Sequence, residues 1–158
     1  MAQSNDPNSE SSRCSCTALR KASRRISQLY DAVLAPSGPK ITQRAILSQI
    51  RRSESPTVGH LADALVMDQG ALAHTLKPLL RDGLISVEVD PQDRRNRVVR
   101  LTPAGRARLA ESDRLWEQAQ RGFEAAFGRA KSKALREALR FLISNEFVTG
   151  FQKATSVL

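Results

Sequence analysis

Four side chains near the middle of the chain are suited to binding phosphate groups or base edges. Arg94, Arg95 and Arg97 lie close together, and Asp93 is the one acid among them. A guanidinium group donates planar, paired hydrogen bonds to phosphate oxygens and to guanine, and a carboxylate such as Asp93 can orient one guanidinium. Because charge runs usually mark only a solvated face, the elements around these arginines decide how they are interpreted.

A second group of residues recurs with helical spacing a little earlier in the chain. Its members are Gln69, Gly70, Ala73, His74 and Lys77, and positions three or four apart share one helix face. Gln69 can pair with adenine through two hydrogen bonds, while His74 and Lys77 can donate to guanine or phosphate. Gly70 and Ala73 let a backbone approach closely. The two groups together predict a surface that binds double-stranded DNA.

The helix that carries this second group is predicted over residues 69–82. Asp68 is a suitable N-cap, and Gly83 supplies the left-handed residue that commonly ends a helix. Pro78 removes one backbone hydrogen bond, so a bend is expected near residues 73–74. The apolar residues expected to be buried on the opposite face are Leu72, Leu76, Leu79 and Leu80.

The neighbouring segments predict a winged helix-turn-helix. Two earlier helices are expected, one with Thr42 as its N-cap and a short one that begins at Thr57. Residues 84–89 and 97–101 have the β-branched alternation of strands, and the polar residues 90–96 between them predict a hairpin with an arginine-bearing tip. In this arrangement the second helix of the motif enters the major groove. An arginine tip suits a narrow, electronegative minor groove.

Helices with narrow apolar seams flank this middle segment. One is predicted over residues 14–35, a long one follows Thr102 and Pro103, and a last one begins near Lys131 and is interrupted at Gly150. A narrow seam is typical of a helix covered by a partner helix, although a helix lying on its own core has a similar pattern. We therefore predict a homodimer. The seam residues are Leu19, Ala22, Ile26, Leu29 and Val33 in the first helix and Leu109, Trp116 and Phe123 in the long one.

The charge balance favours a polyanionic partner. The 25 Lys and Arg residues exceed the 16 Asp and Glu residues, which gives a formal charge of +9, and such a surface attracts nucleic acid or an anionic membrane. No apolar stretch is long enough to span a bilayer, and the polar residues 1–12 lack the apolar region of a signal peptide. We expect a cytoplasmic, nucleoid-associated protein that does not bind membranes.

These elements predict a mainly α fold with a small antiparallel β-hairpin. Residues 1–12 are expected to form a disordered tail, 13–36 a dimerisation helix, 40–102 a winged helix-turn-helix DNA-binding domain, and 103–158 dimerisation helices packed with 13–36. The sequence contains no Gly-rich phosphate loop, catalytic constellation or metal-ligand cluster. We therefore expect neither enzymatic activity nor a cofactor or metal.

The chain resembles the MarR family (multiple antibiotic resistance regulators) from about residue 14 to residue 127. The resemblance implies a dimer whose terminal helices intertwine and whose recognition helices bind the two halves of a palindromic operator. It also implies a repressor that releases DNA when a small aromatic or acidic effector binds between the dimerisation helices and the winged domain. The stretches that carry it are Met67-Asp68-Gln69, Leu76-Lys77-Pro78-Leu79, Arg81-Asp82-Gly83-Leu84-Ile85, Asp90-Pro91, Asp93-Arg94-Arg95 and Arg100-Leu101-Thr102-Pro103-Ala104-Gly105.

Two details qualify this resemblance. Tyr30 and Trp116 lie on helices that flank the family's effector pocket, but aromatic residues at helical spacing more often belong to the core. Similar recognition helices commonly carry Arg, Ser or Thr where this chain has Gln69-Gly70-Ala71, and His74 replaces a residue that is often Arg. Fewer strong donors predict either a larger role for the wing and for DNA shape or weaker binding overall.

Cys14 and Cys16 leave an alternative open, because some relatives respond to oxidants through an N-terminal cysteine. Residues separated by a single position rarely reach disulfide geometry without strain, so a bridge would have to join two subunits. A zinc site needs four ligands, which these two cysteines do not supply. The alternatives to an effector-responsive repressor are therefore a redox-sensing repressor and a non-specific architectural DNA-binding protein.

Overall fold

A computed structural model describes residues 13–156, and the predicted tail over residues 1–12 lies outside this range. The fold is mainly helical with one two-stranded antiparallel sheet, as predicted. None of the helices among the described residues combines the length and apolarity needed to cross a membrane. The elements are α1 (Ser15–Leu34), a short 3-10 turn (Ala35–Ser37), α2 (Ile41–Ser53), α3 (Val58–Leu65), α4 (Gln69–Arg81), β1 (Ile85–Val89), β2 (Arg97–Leu101), α5 (Pro103–Phe127), α6 (Arg129–Leu142) and α7 (Asn145–Thr155).

The main core lies among α2, α3, α4, the two strands and the first part of α5. Leu72, Leu76 and Leu79 of α4 are buried in it, but Leu80 is 40% exposed. The prediction for Leu80 was wrong. The buried positions of α4 are spaced by four and then three residues, and Leu80, one residue after Leu79, points away from that face. The remaining members of the core are Ile46, Leu47, Ile50, Leu61, Ala62, Ile85, Val99, Leu101 and Leu109.

The predicted ends of α4 are confirmed, but the predicted N-cap of α2 is not. Asp68 caps α4, and Gly83 follows its end with a φ of 67°. Thr42, however, lies inside α2, which begins at Ile41. The carboxylate of Asp31 in α1 accepts a hydrogen bond from the backbone N–H of Ile41 at 2.7 Å. A contact with a distant helix therefore satisfies the first turn of α2, and no local N-cap hydroxyl is needed.

The hairpin is held at its base by the segment before α3. Ile85 pairs with Leu101 and Val89 with Arg97, so the strands are in register along their full length. Thr57 forms an isolated bridge with Val98, which fixes the second strand beside the start of α3. The wing is consequently anchored to the same part of the molecule as α3 and α4.

The C-terminal segment forms two helices whose boundary differs from the predicted one. The chain breaks after Leu142, at Ser144, whose hydroxyl caps α7 by accepting from the backbone N–H of Phe147 at 3.2 Å. Gly150 lies within α7, so the predicted interruption there was wrong. Ser144 supplies the N-cap at which a new helix begins, whereas glycine at the exposed position 150 lowers helix propensity without stopping the helix.

Candidate nucleic-acid interface

One face of α4 projects from the core and carries the residues selected from the sequence. Gln69, Gly70, Ala73, His74 and Lys77 are all exposed, and they lie opposite the buried leucines of the same helix. The structure therefore brings all five onto one solvent-facing surface.

The N-terminal end of this face is rigidly positioned. The Oδ1 atom of Asp68 accepts a hydrogen bond from the backbone N–H of Ala71 at 2.8 Å. In the turn before α4, Val66 has a φ of 53° and the N–H of Met67 bonds to the carbonyl of Ala62. The turn and the cap together fix where the first turn of α4 points.

The wing tip holds one arginine in a two-point contact. The Nε atom of Arg95 donates to Oδ1 of Asp93 at 3.1 Å, and its Nη2 atom donates to Oδ2 at 3.2 Å. The same hydrogen bonds hold the pKa of Asp93 below its usual range. The Arg95 side chain is still 91% exposed, so this pair adds little stability but does limit how the guanidinium is oriented.

The other two wing arginines also face solvent. Nη1 of Arg97 donates to the carbonyl oxygen of Arg94 at 3.3 Å, and both side chains are exposed. Arg100, which the sequence analysis did not select, lies lower on the wing and donates to the Ser55 hydroxyl at 2.7 Å. In the sequence, Arg100 follows two apolar strand residues, and this position predicts only that its side chain faces solvent.

Two cavities adjoin the helices that flank the winged segment. The two aromatic residues predicted to line an effector pocket lie in different cavities. Tyr30 lines an apolar groove of about 380 Å³ between α1 and α5. Its hydroxyl donates to Oε1 of Gln120 at 3.0 Å, and burial raises its pKa. Trp116 lines a different cavity, of about 530 Å³, between α2 and α5. The structure therefore does not bring Tyr30 and Trp116 together.

Comparison with known proteins identifies the family. Residues 40–96 match the model of the MarR family. The DNA complex of the M. tuberculosis transcriptional regulator MosR is similar in sequence and fold, with 32% identity, a TM-score of 0.75, and coverage of 82% of this chain and 93% of MosR. The chain belongs to the MarR family.

Two further structures are similar to this MarR-family chain over most of their length, whereas no curated protein matches it. A probable transcriptional regulator from Pseudomonas aeruginosa is 28% identical, with a TM-score of 0.73 and coverage of 82% of this chain and 97% of its own. Bordetella bronchiseptica BpsR, whose DNA binding is regulated by 6-hydroxynicotinic acid, is 26% identical, with a TM-score of 0.74 and coverage of 83% and 94%. The protein is therefore a DNA-binding transcriptional regulator and not an enzyme.

The two cysteines of this MarR-family protein lie at the exposed start of α1. Cys14 is its N-cap residue, and its Sγ atom accepts from the backbone N–H of Thr17 at 3.4 Å, which lowers the pKa of the thiol. Cys14 and Cys16 are both unbridged in the described chain. Within residues 13–156 no three metal-ligating side chains cluster together.

The sequence analysis missed a buried polar cluster beside Trp116. Arg44 of α2 lies under the Trp116 ring, and its guanidinium bonds to Asp113 of α5. One signal was available: Arg44 precedes Leu47 by three residues and therefore falls on the apolar face of α2. An arginine at a core-facing position needs a partner, and the sequence cannot say which element supplies it.

Proposed function

We propose that this protein is a repressor that binds a palindromic operator as a homodimer and releases it when a small effector binds. The observation that carries this proposal is that the exposed face of α4 and the arginine tip of the wing belong to one winged segment with a shared core. In the proposed complex Gln69, His74 and Lys77 contact base edges and phosphates in the major groove. Arg94 and Arg95 enter the adjacent minor groove.

The distribution of donors favours a large contribution from the wing. The five residues selected on α4 include a single cation, Lys77, beside a glutamine and a histidine. The wing presents three arginines, and Asp93 already orients one of them. We therefore expect each half-site to combine a short major-groove sequence with a flanking A·T-rich segment whose narrow minor groove attracts arginine.

Unburied apolar side chains support the homodimer. Among the described residues, large apolar side chains are exposed on both terminal segments, with Ile143 at 62% and Phe151 at 58%. On α6 and α7 the rings of Phe141, Phe147 and Phe151 form a row with centroid distances of 5.7 and 6.1 Å. A soluble protein rarely leaves such a surface in water, so a second copy of the chain is the proposed cover. Others that this copy would cover are Leu19, Leu29, Phe127, Leu139 and Val148.

We assign DNA binding and dimerisation to different parts of the chain. Residues 40–102 form the DNA-binding domain, while residues 13–36 and 103–158 form the dimerisation unit. Packing of α1 along α5 supports the grouping of the two terminal segments. Because two winged domains would be attached to one dimer core, a ligand near the junction could change the spacing of the recognition helices. The regulation of BpsR by an aromatic acid supports an effector of that class.

A mobility-shift experiment tests the proposed function. The purified protein is titrated against the DNA upstream of its own gene in the presence of excess random duplex. We expect a discrete complex that resists the competitor and that needs two half-sites related by symmetry. If random duplex removed the complex as effectively as an equal mass of the specific DNA, that result would contradict operator binding and favour the architectural alternative.

A further inference from the structure

Most of the excess positive charge of the chain lies outside the winged segment. Residues 40–102, which contain α4 and the wing, hold ten basic residues and seven acids. Residues 13–36 hold five basic residues and one acid, and residues 103–158 hold ten and six. The two terminal segments together therefore carry a formal charge of +8, against +3 for the winged segment. DNA binding by α4 and the wing does not account for this excess.

The most one-sided part of this charge lies on α1. Its first acid is Asp31, and the residues before it include four exposed cations in two pairs spaced by four positions, Arg20 with Arg24 and Lys21 with Arg25. These four residues form the α1 patch. Like charges spaced by four positions repel each other and weaken a helix. Among residues 13–156 none of the four forms an ion pair that would offset this cost.

Two contacts place the α1 patch far from the wing. Tyr30 donates to Gln120 at 3.0 Å, and Arg108 donates to the carbonyl oxygen of Ser37 at 3.2 Å. Earlier residues of α1 therefore lie beside later residues of α5, and the patch lies near the end of α5 at Phe127. Because α5 follows the wing directly and a helix rises 1.5 Å per residue, the patch is about 30 Å from the wing along α5. The patch and the winged segment are separate surfaces.

The chemistry of the α1 patch fits a phosphate backbone better than a membrane surface. Three of its four residues are arginines, whose guanidinium groups donate paired hydrogen bonds to phosphate oxygens. A helix that binds a membrane surface inserts a free apolar face among the lipids. On α1, however, Ile26, Tyr30 and Val33 face the groove shared with α5. A protein held on DNA by its winged segment also meets further duplex at a high local concentration.

We propose that the α1 patch binds the phosphate backbone of a second DNA duplex, so that the protein bridges this duplex to the one held by the winged segment. Binding at the patch is independent of sequence, because contacts to phosphates do not distinguish one base from another. The bridge requires DNA binding by the winged segment, but it requires neither a palindromic operator nor an effector.

Capture of one duplex by another tests the bridge. A short random duplex on beads is incubated with the full-length protein, washed, and offered a labelled duplex of different random sequence at low salt. We expect the native protein to retain the labelled duplex. A quadruple variant should retain about tenfold less, because four phosphate contacts are lost. Its changes are Arg20→Gln, Lys21→Gln, Arg24→Gln and Arg25→Gln. Undiminished capture by this variant would show that the bridge does not need α1 and would overturn the proposal.

A matched control removes the same charge from scattered positions. It also replaces three arginines and one lysine, all exposed, on α5, α6 and α7. Its changes are Arg114→Gln, Arg121→Gln, Arg140→Gln and Lys153→Gln. Capture by the control should stay within about threefold of the native value, because separated exposed charges interact weakly through water. Equal losses in the two quadruple variants would show that net charge decides the capture, and the patch would have to be abandoned.

Structural effects of the α1 changes are measured separately. The quadruple α1 variant should keep the native helix content in circular dichroism, because it removes repulsion between exposed side chains. Its dimer Kd from sedimentation should also match that of the native protein. A raised dimer Kd would place the patch between two copies of the chain and would overturn the proposal. A milder variant with only Arg24→Gln and Arg25→Gln should lose part of the capture, and it decides the proposal if the quadruple variant does not fold.

The mobility-shift assay separates the bridge from operator binding. The quadruple α1 variant should bind the DNA upstream of the gene with an affinity within about threefold of the native value, because α4 and the wing are unchanged. A parallel loss of operator affinity would assign the patch to the operator complex and overturn the proposal. Native protein that bridges random duplexes but forms no competitor-resistant complex would contradict the proposed function and leave the bridge intact.

Vesicles of phosphatidylglycerol test the membrane as the other polyanionic partner. We expect the native protein and the quadruple α1 variant to sediment with such vesicles to the same extent, because the proposed patch serves DNA. A variant that lost vesicle binding but kept full capture of the labelled duplex would identify an anionic membrane as the partner and would overturn the proposal.

Discussion

At the scale of single residues, the clearest feature is the contact between Asp93 and Arg95 at the wing tip. Arg95 is too exposed for this ion pair to stabilise the fold appreciably. In the proposed complex, this contact would restrict the guanidinium before DNA binds and so lower the entropy lost on binding. The same reasoning would account for one acid on the proposed DNA-binding surface.

Arg95→Ala should weaken operator binding without changing dimerisation. A direct contact to DNA is typically worth about 1–3 kcal/mol, so the operator Kd should rise roughly five- to 150-fold. Mobility shift measures the affinity, and sedimentation measures the oligomeric state. Arg121→Ala is the control, because Arg121 is an exposed arginine of α5 far from the wing tip in sequence. An Arg95→Ala protein with native affinity would remove this wing residue from the mechanism.

Cys14 should react with alkylating agents at lower pH than an ordinary thiol. The hydrogen bonds from Thr17 favour the thiolate and lower the pKa of Cys14 in the folded chain. A Cys16→Ser protein leaves Cys14 as the only thiol, and its iodoacetamide rate is measured against pH. The midpoint should lie below that of the same protein in urea, where the cap is lost. Identical midpoints in the two states would show that the helix cap does not activate the thiol.

At the scale of elements, the junction between the wing and α5 depends on one glycine. A Cβ atom added at Gly105 would lie 1.9 Å from the carbonyl oxygen of Leu84. That oxygen already accepts from the backbone N–H of Thr102 at 3.1 Å, and the Thr102 hydroxyl caps α5. The first turn of α5 therefore packs directly against the Leu84 carbonyl, just before β1. Only glycine fits at position 105.

Gly105→Ala should destabilise the protein despite the better helix propensity of alanine. Alanine gains about 1 kcal/mol in a helix interior, whereas overpacking against a backbone carbonyl costs about 1–3 kcal/mol or more. The steric cost wins because the Leu84 carbonyl cannot move without disturbing the Thr102 cap. A Cβ atom 1.9 Å from a backbone oxygen places the cost at the upper end of this range, so urea denaturation should show a net loss of about 2 kcal/mol or more in the free energy of unfolding.

Gly150→Ala is the matched control for this change. Gly150 also lies inside a helix, but a Cβ atom there meets nothing within 4 Å. Its free energy of unfolding should stay the same or rise by up to about 1 kcal/mol. Equal effects of the two substitutions would show that the contact with Leu84 is not what constrains residue 105.

The elements that could be predicted from the sequence are those whose signals are local. Asp68 before α4, Thr102 with Pro103 before α5, and the alternation in β1 and β2 each act within a few residues, and the structure has them in place. Thr42 failed as an N-cap because Asp31, ten residues before Ile41, supplies the hydrogen bond instead. Contacts between distant segments leave no periodic trace in either one.

The same distinction holds for the candidate site. The exposed face of α4 follows directly from its 3.6-residue period, so its five residues could be selected in advance. The cluster of Arg44, Asp113 and Trp116 joins α2 to α5. It could not be selected from the sequence, because its members come from two separate helices. Sequence spacing placed Trp116 in the seam of α5, but only the tertiary structure shows that it contacts an arginine from another helix.

At the scale of the whole molecule, the distribution of exposed apolar side chains fits the proposed homodimer. The winged segment buries its apolar residues in a continuous core, whereas the terminal helices leave several large apolar side chains exposed. A monomer would also present only one α4 and one wing to DNA. In the proposed complex, two copies bound to a palindrome would double these contacts, and the second half-site would be bound at a high effective concentration.

Phe151→Glu should therefore weaken dimerisation and operator binding together. Phe151 is 58% exposed in the single chain, next to the ring of Phe147. Burying a carboxylate where a phenyl ring packs loses about 2 kcal/mol of hydrophobic energy and adds a desolvation cost, so the dimer Kd should rise more than about 100-fold. Sedimentation over a concentration series measures this shift, and mobility shift measures the loss of operator affinity.

Gln152→Glu adds the same charge at the neighbouring exposed position of α7 and removes no apolar group. Its dimer Kd should stay within about threefold of the native value, because an exposed charge interacts weakly through water. Operator binding by Phe151→Glu should recover at protein concentrations high enough to restore the dimer, since the winged segment is untouched. A monomeric Phe151→Glu protein that bound the operator with native affinity would show that one recognition helix and one wing suffice, and the symmetric complex would have to be abandoned.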